Sequence, residues 1–139
     1  MAGPPVDRDE FDRWRAEADA ALRGARLQAD GGLHNWACFA AEQAAQLAVK
    51  GLLHGLGRGP WGHDLVRLGE QLAAVADVPV LVADALRRLS RHYIPARYPD
   101  AHPSGPPGMH YAGSDSSEAL ADADRVLSLV DGVWERLSR

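Results

Sequence analysis

A chain of 139 residues with 46% hydrophobic content has the size of one domain and enough apolar surface to bury its own core. Its formal charge of −4 excludes a globally basic nucleic-acid binder, so any such contact must be local. The single cysteine, Cys38, excludes an internal disulfide, and no apolar run approaches the ~18 residues of a membrane span.

Residues 1–6 read as a short frayed lead, with no basic-then-apolar leader pattern, so the expected location is the cytoplasm. Asp7 or Asp9 can cap a first helix. Phe11, Trp14, Ala18, Leu22 and Ala25 then recur at steps of three and four on one face. Asp30-Gly31-Gly32 ends it.

A second helix is predicted from Leu33 or Asn35 to about Leu56. Its inner face is read as Trp36, Ala40, Gln43, Leu47 and Gly51, widened by Phe39, Ala44 and Ala48. Its alanines allow close helix approach, so it should be central. Cys38 sits in this apolar pattern, where a buried inert thiol is expected. Gln43, Gln46 and Lys50 interrupt the pattern and are expected to hydrogen-bond at the edge of the core.

Residues 55–62, GLGRGPWG, are a turn without the Gly-Lys-Ser/Thr ending of a phosphate-cradling loop. His63-Asp64-Leu65 opens a third helix with Leu65, Leu68, Leu72 and Val75 inward. His63 could cap that helix or contact the loop beyond. Val78-Pro79 starts a fourth, striped by Val82, Leu86, Leu89 and Tyr93. Arg87, Arg88 and Arg91 crowd its end, where cations favour the helix dipole.

From Arg87 to Tyr111 the chain carries four arginines against one aspartate, three histidines, three tyrosines and five prolines. The prolines bar a regular helix, so a shaped loop is predicted after Tyr93. A cationic, histidine-bearing loop in an acidic protein is a candidate phosphate or RNA site. Asp115-Ser116-Ser117-Glu118 is capping-box-like, and Leu120, Ala123, Leu127, Val130, Trp134 and Leu137 follow at helical steps. No strand pattern or repeat is present, which gives a single all-α domain, an up-and-down bundle of about five helices over residues 10–137.

Trp14 with Ala18, Leu22 and Ala25, the run Ala40 to Lys50, His63-Asp64-Leu65, and Tyr93-Ile94-Pro95-Ala96-Arg97-Tyr98-Pro99-Asp100 together resemble the HEPN family of helical bundles. The resemblance covers nearly the whole chain. It implies either a metal-independent ribonuclease acting as a homodimer, or a non-catalytic module that binds nucleotide or a minimal nucleotidyltransferase, as in toxin–antitoxin pairs. No cofactor is implied. Members often carry a glutamate four residues before the helix-two lysine; here Gln46 precedes Lys50, so an ion pair becomes at best an amide-to-ammonium hydrogen bond.

The family's ribonuclease motif is an arginine, four to six residues, then a histidine. Two stretches fit: Arg97 with His102, and Arg87 with His92. Arg97 lies in the family-like run and in the loop, so Arg97 and His102 are the candidate catalytic pair. Arg87, Arg91, His92, Tyr98 and Lys50 are candidate substrate contacts. Residues five apart on a helix are turned about 140° from one another, which separates Arg87 from His92. Tyr98 departs from the polar residue that often follows the motif arginine. Ser104 and Ile94 stand where some toxins carry a modifiable tyrosine, so that switch does not carry over.

The chemistry is self-consistent without metal. RNA supplies a 2′-hydroxyl nucleophile, histidine can move protons near neutrality, and arginine can grip the phosphorane. One Arg-His pair is only half of such a set, which is a physical reason for a symmetric dimer. A helical dimer with a scaffold role alone is the third expectation.

Overall fold

In the computed structural model, which describes residues 5–139, five α-helices and two short 3-10 turns make up the regular structure, with no strand among the described residues. They are α1 (Arg8–Asp30), α2 (His34–Gly55), α3 (Leu65–Ala73), α4 (Val80–Ser90) and α5 (Gly113–Leu137). The predicted all-α up-and-down bundle is the observed one. The lead expected to fray falls mostly outside the described residues.

Each helix begins for a local reason. Asp7 caps α1, its Oδ1 accepting from Glu10 N–H at 3.0 Å. Asp64 caps α3, accepting from Val66 N–H at 2.9 Å. Gly31 closes α1, and Gly32 follows at φ 79°, a left-handed turn residue. α5 starts a turn earlier than predicted: Asp115 is its third residue, not its cap, and its carboxylate accepts from Ala112 N–H at 2.7 Å. The alanine side chain has no oxygen to return the favour, so half a box stands at Ala112 and Asp115 in place of the one predicted at Asp115 and Glu118.

α2 touches every other helix. Its inward set differs from the predicted face. Ala37, Ala41, Ala44, Ala45 and Ala48 are fully buried, with Val49, Leu52 and Leu53 below them. Trp36 is 42% exposed. A helix surrounded on most sides has no single inner stripe, so the one-face reading picked too narrow an arc. α4 also ends sooner than its stripe suggested: Val82, Leu86 and Leu89 are buried with Ala85, while Tyr93 lies past the helix in the loop. Arg88 does not merely complement the helix dipole. It donates twice to the buried Asp122 of α5, at 2.9 and 2.7 Å, and Arg125 adds a third bond at 3.0 Å.

The small residues of α2 set how closely α1 can approach. A Cβ built on Gly51 would stand 2.6 Å from the Trp14 Cβ, with no room to move that atom short of shifting the helix. Gly51→Ala should therefore destabilise by about 1–3 kcal/mol, although alanine favours the helix by roughly 1 kcal/mol. Gly24 has nothing within 4 Å of the same position, so Gly24→Ala should be neutral or stabilising. Thermal unfolding of the two variants side by side checks this, and equal midpoints would contradict it.

Candidate functional site

The loop between α4 and α5 is pinned to the bundle from below. Asn35 at the start of α2 donates to the Ala96 carbonyl at 2.9 Å, and Ala96 and Pro107 are buried. Two 3-10 turns, Pro99–Ala101 and Pro107–His110, use the prolines at their first positions. Gly105 takes φ 73° between them. The loop is thus shaped, as the prolines predict, and it carries two distinct side-chain clusters.

The first cluster is built around Arg97. Its Nε donates to the Tyr93 carbonyl at 2.8 Å. Its guanidinium lies 4.4 Å from the Phe39 ring, 4.6 Å from Tyr93 and 5.0 Å from Tyr98. Arginine is weakly hydrated and planar, so rings can hold it without stripping its remaining N–H groups. Both terminal nitrogens are without a hydrogen-bond partner among the described residues. Trp36 packs edge-on to Phe39 at 6.3 Å and extends the aromatic surface outward.

Behind Arg97 lies a carboxyl that sequence reading passed over. Glu42 is fully buried. It accepts from Gln43 at 2.8 Å and from Gln46. Gln46 does not reach toward Lys50, as the i,i+4 argument expected. Its amide nitrogen bonds Glu42 and also the His63 carbonyl at 2.9 Å, and its oxygen faces His63 Nδ1 at 3.3 Å. The carboxylate expected at position 46 is carried one helical turn earlier. Burial pushes the Glu42 carboxyl up to about 7, against the pull of Gln46, Gln43, Arg97 and Lys50. Burial also lowers Lys50, with Glu42 opposing. His63 does not cap α3. Its ring stacks on Tyr93 at 5.6 Å, so the loop and α3 share a wall.

That buried carboxyl has a consequence for stability. Folded Glu42 keeps its proton up to about 7, whereas an unfolded glutamate loses it near 4.5. Between those values the folded chain binds one more proton, so stability falls as pH rises and levels off above the folded value. The fall should be about 3 kcal/mol. Urea unfolding at pH 5 and pH 7.5 should show it in the wild type and not in Glu42→Gln, whose Gln43 partner can turn its amide to match. Equal pH slopes in the two proteins would mean the carboxyl is ionised throughout.

The second cluster gathers imidazoles around Tyr111. His92 Nδ1 meets the Tyr111 hydroxyl at 3.2 Å. His102 lies edge-on to Tyr111 at 6.4 Å and stacks on His110 at 4.4 Å. His102 Nε2 donates to the Pro95 carbonyl and His110 Nε2 to the Ser104 carbonyl, each at 2.6 Å. Carbonyls only accept, so these protons sit on Nε2, and a neutral ring keeps a lone pair on Nδ1. Burial lowers His92 and pushes Tyr111 up to about 12.

The candidate residues therefore fall as follows. Arg97 and Tyr98 are in contact. Arg97 and His102 share the loop, but no hydrogen bond joins them and each is anchored to its own carbonyl. The histidines of both motif matches, His92 and His102, meet at Tyr111. Arg87 points instead to Asp84, at 2.7 Å. Arg91 is exposed and has no ion-pair partner among the described residues. Lys50 is half-buried on α2, where it feels Glu42. Glu42, Tyr111, His110 and Trp36 were not among the site residues proposed from sequence. Among the described residues no three His, Cys, Asp or Glu side chains converge as a metal site, and no helix is long and apolar enough to cross a membrane. Cys38 is buried, and burial pushes its thiol up to about 12, which suits an inert side chain.

Comparison with known proteins follows the same outline. The family model for the HEPN domain matches residues 11–133. Among solved structures the chain is similar to TT1696 from Thermus thermophilus, at 41% identity over 88% of this chain and 97% of that one, with a TM-score of 0.86. It is similar to ST0689, an archaeal HEPN homologue, at 33% identity over 88% and 95% of the two chains and a TM-score of 0.75. A HEPN domain protein from Thermotoga maritima, TM0613, shares the fold at 24% identity, over 90% and 99%, with a TM-score of 0.73. No curated protein matches the chain.

Proposed function

Because the chain belongs to the HEPN domain family, we propose that it binds the phosphate of RNA or of a nucleotide as a homodimer, with Arg97 as the grip. The observation that carries this reading is the setting of Arg97. Three rings and one carbonyl fix the guanidinium while leaving its two terminal nitrogens for a ligand. A fork held before the ligand arrives loses little entropy on binding, and a bidentate bond to phosphate is what it offers. Tyr98 and Trp36, both partly exposed beside it, are stacking surfaces for bases. Arg91 adds a free positive charge nearby in sequence. A two-fold dimer would double the set and give one strand two grips. A minimal nucleotidyltransferase is the partner protein the family suggests.

A second reading, metal-independent cleavage of RNA, is favoured by the free Nδ1 of His102. In it, that nitrogen takes the 2′-hydroxyl proton, the hydroxyl oxygen attacks the phosphorus, and Arg97 balances the phosphorane charge. The 5′-oxygen leaves with a proton from the second copy's histidine, which enters the step as the imidazolium and ends it neutral. Binding ranks first because the arginine and the histidine stand in separate clusters rather than in one constellation.

One assay separates them. Purified protein is mixed with labelled single-stranded RNA in EDTA, and retardation and cleavage are read from the same samples. The expected result is binding without cutting, with His102→Ala within about threefold of wild-type affinity, since it holds a loop carbonyl rather than phosphate. Cutting by the wild type that His102→Ala abolishes would put the ribonuclease reading in its place. Absence of both binding and cutting leaves the scaffold role.

A further inference from the structure

Beside Arg97 lies a groove that the phosphate reading does not use. It has a volume of about 390 Å³ and is walled by His63, Asp64, Ser90, Tyr93, Ile94 and Pro95. Two of these lining residues carry lone pairs that no hydrogen bond among the described residues uses. The Gln46 amide nitrogen faces two acceptors, the Glu42 carboxyl and the His63 carbonyl, so the amide oxygen must face His63 Nδ1 and take its proton. When the ring is uncharged, that tautomer leaves Nε2 as an acceptor. Asp64 uses Oδ1 to cap α3, and its Oδ2 has no hydrogen-bond partner among the described residues. The Ser90 hydroxyl can serve either way. Ile94, Pro95 and the Tyr93 ring supply apolar walls against which a planar base can lie.

Tyr93 joins this groove to the grip. Its ring holds His63 stacked at 5.6 Å and the Arg97 guanidinium at 4.6 Å. A ligand with its phosphate on Arg97 has its base within reach of the groove. We infer that the groove is a base-reading subsite for a guanine nucleotide, a role that rests on the phosphate reading above. Guanine alone among the four bases sets two donors, N1–H and N2–H₂, side by side on its pairing edge. Adenine and cytosine set one amine beside an acceptor, and uracil sets one donor between two acceptors. A lining of acceptors pairs with guanine and meets lone pairs on the others, which is discrimination by repulsion as well as attraction.

The test is calorimetric titration of the full chain with GMP, AMP, CMP and UMP. GMP should bind about tenfold tighter than the other three. Asp64→Asn keeps a good helix cap but turns an acceptor edge into a mixed one, so it should erase the preference while circular dichroism is unchanged. His63→Phe keeps a ring on Tyr93 and lacks Nε2, and should narrow the preference too. Arg97→Ala should weaken all four nucleotides alike. Equal binding of the four, or preference for another base, with Arg97 dependence intact, overturns the guanine subsite and leaves the phosphate reading standing. A GMP preference that survives both groove variants overturns the location. Failure of the wild type to bind any of the four overturns the guanine subsite, and retardation of RNA in the assay above then decides whether the phosphate reading stands.

Discussion

Gln46→Glu is expected to lower the unfolding free energy by about 3–5 kcal/mol at pH 7.5. Gln46 is 3% exposed and its amide nitrogen serves both the Glu42 carboxyl and the His63 carbonyl. A glutamate there has no N–H to offer. It sets a second carboxyl against a buried first one and leaves the His63 carbonyl without its donor, and like charges that close cannot both stay ionised. The loss should shrink at pH 5. There Glu42, whose carboxyl is held up to about 7, already carries a proton and can donate it to the newcomer. Exchanging the two residues, Glu42→Gln with Gln46→Glu, restores one carboxyl and one amide on adjacent turns and should recover most of the stability. Urea unfolding of the single and double variants at both pH values checks the cycle. Full stability of Gln46→Glu at pH 7.5 would show that Glu42 is not the partner the geometry makes it.

The same pair marks the boundary of what the sequence disclosed. Helix number, order and most boundaries followed from apolar spacing and from Asp7, Gly31, Gly32 and Asp64, because those signals act within a few residues of themselves. The proline-rich loop and its arginine were legible for the same reason. Glu42 was not. One acidic residue in a run of alanines looks like a solvated position until the helices around α2 close over it, and only the tertiary arrangement makes it buried. Gln46 was noticed but aimed at Lys50, since helical spacing allows i−4 and i+4 partners equally and cannot choose between them. The meeting of His92, His102 and His110 around Tyr111 joins residues up to 19 positions apart across two 3-10 turns, and no periodicity foretells it. The motif implied by the family resemblance paired Arg97 with His102. The fold gives each a different carbonyl, because a loop with five prolines turns too often for nearness in sequence to mean contact.

Arg97→Ala is expected to weaken RNA or nucleotide binding by about 100-fold, the loss of a bidentate charged contact. Arg97→Lys should recover little of it. Lysine keeps the charge but cannot lie flat among Phe39, Tyr93 and Tyr98, and it has no fork to present. Both variants also give up ring contacts, at a cost of about 1–2 kcal/mol in stability, so affinity must be read well below their unfolding transitions. Salt then tells a phosphate contact from a general loosening of the loop. Removing one phosphate ligand should reduce the slope of log affinity against log salt by about one, whereas a loosened loop lowers affinity at every salt concentration alike. Arg87→Ala is the internal control. Arg87 is exposed and already paired with Asp84, so its loss should change affinity less than about threefold. If Arg97→Lys binds as well as the wild type, charge alone suffices, and the ring-held fork is not the feature that recognises phosphate.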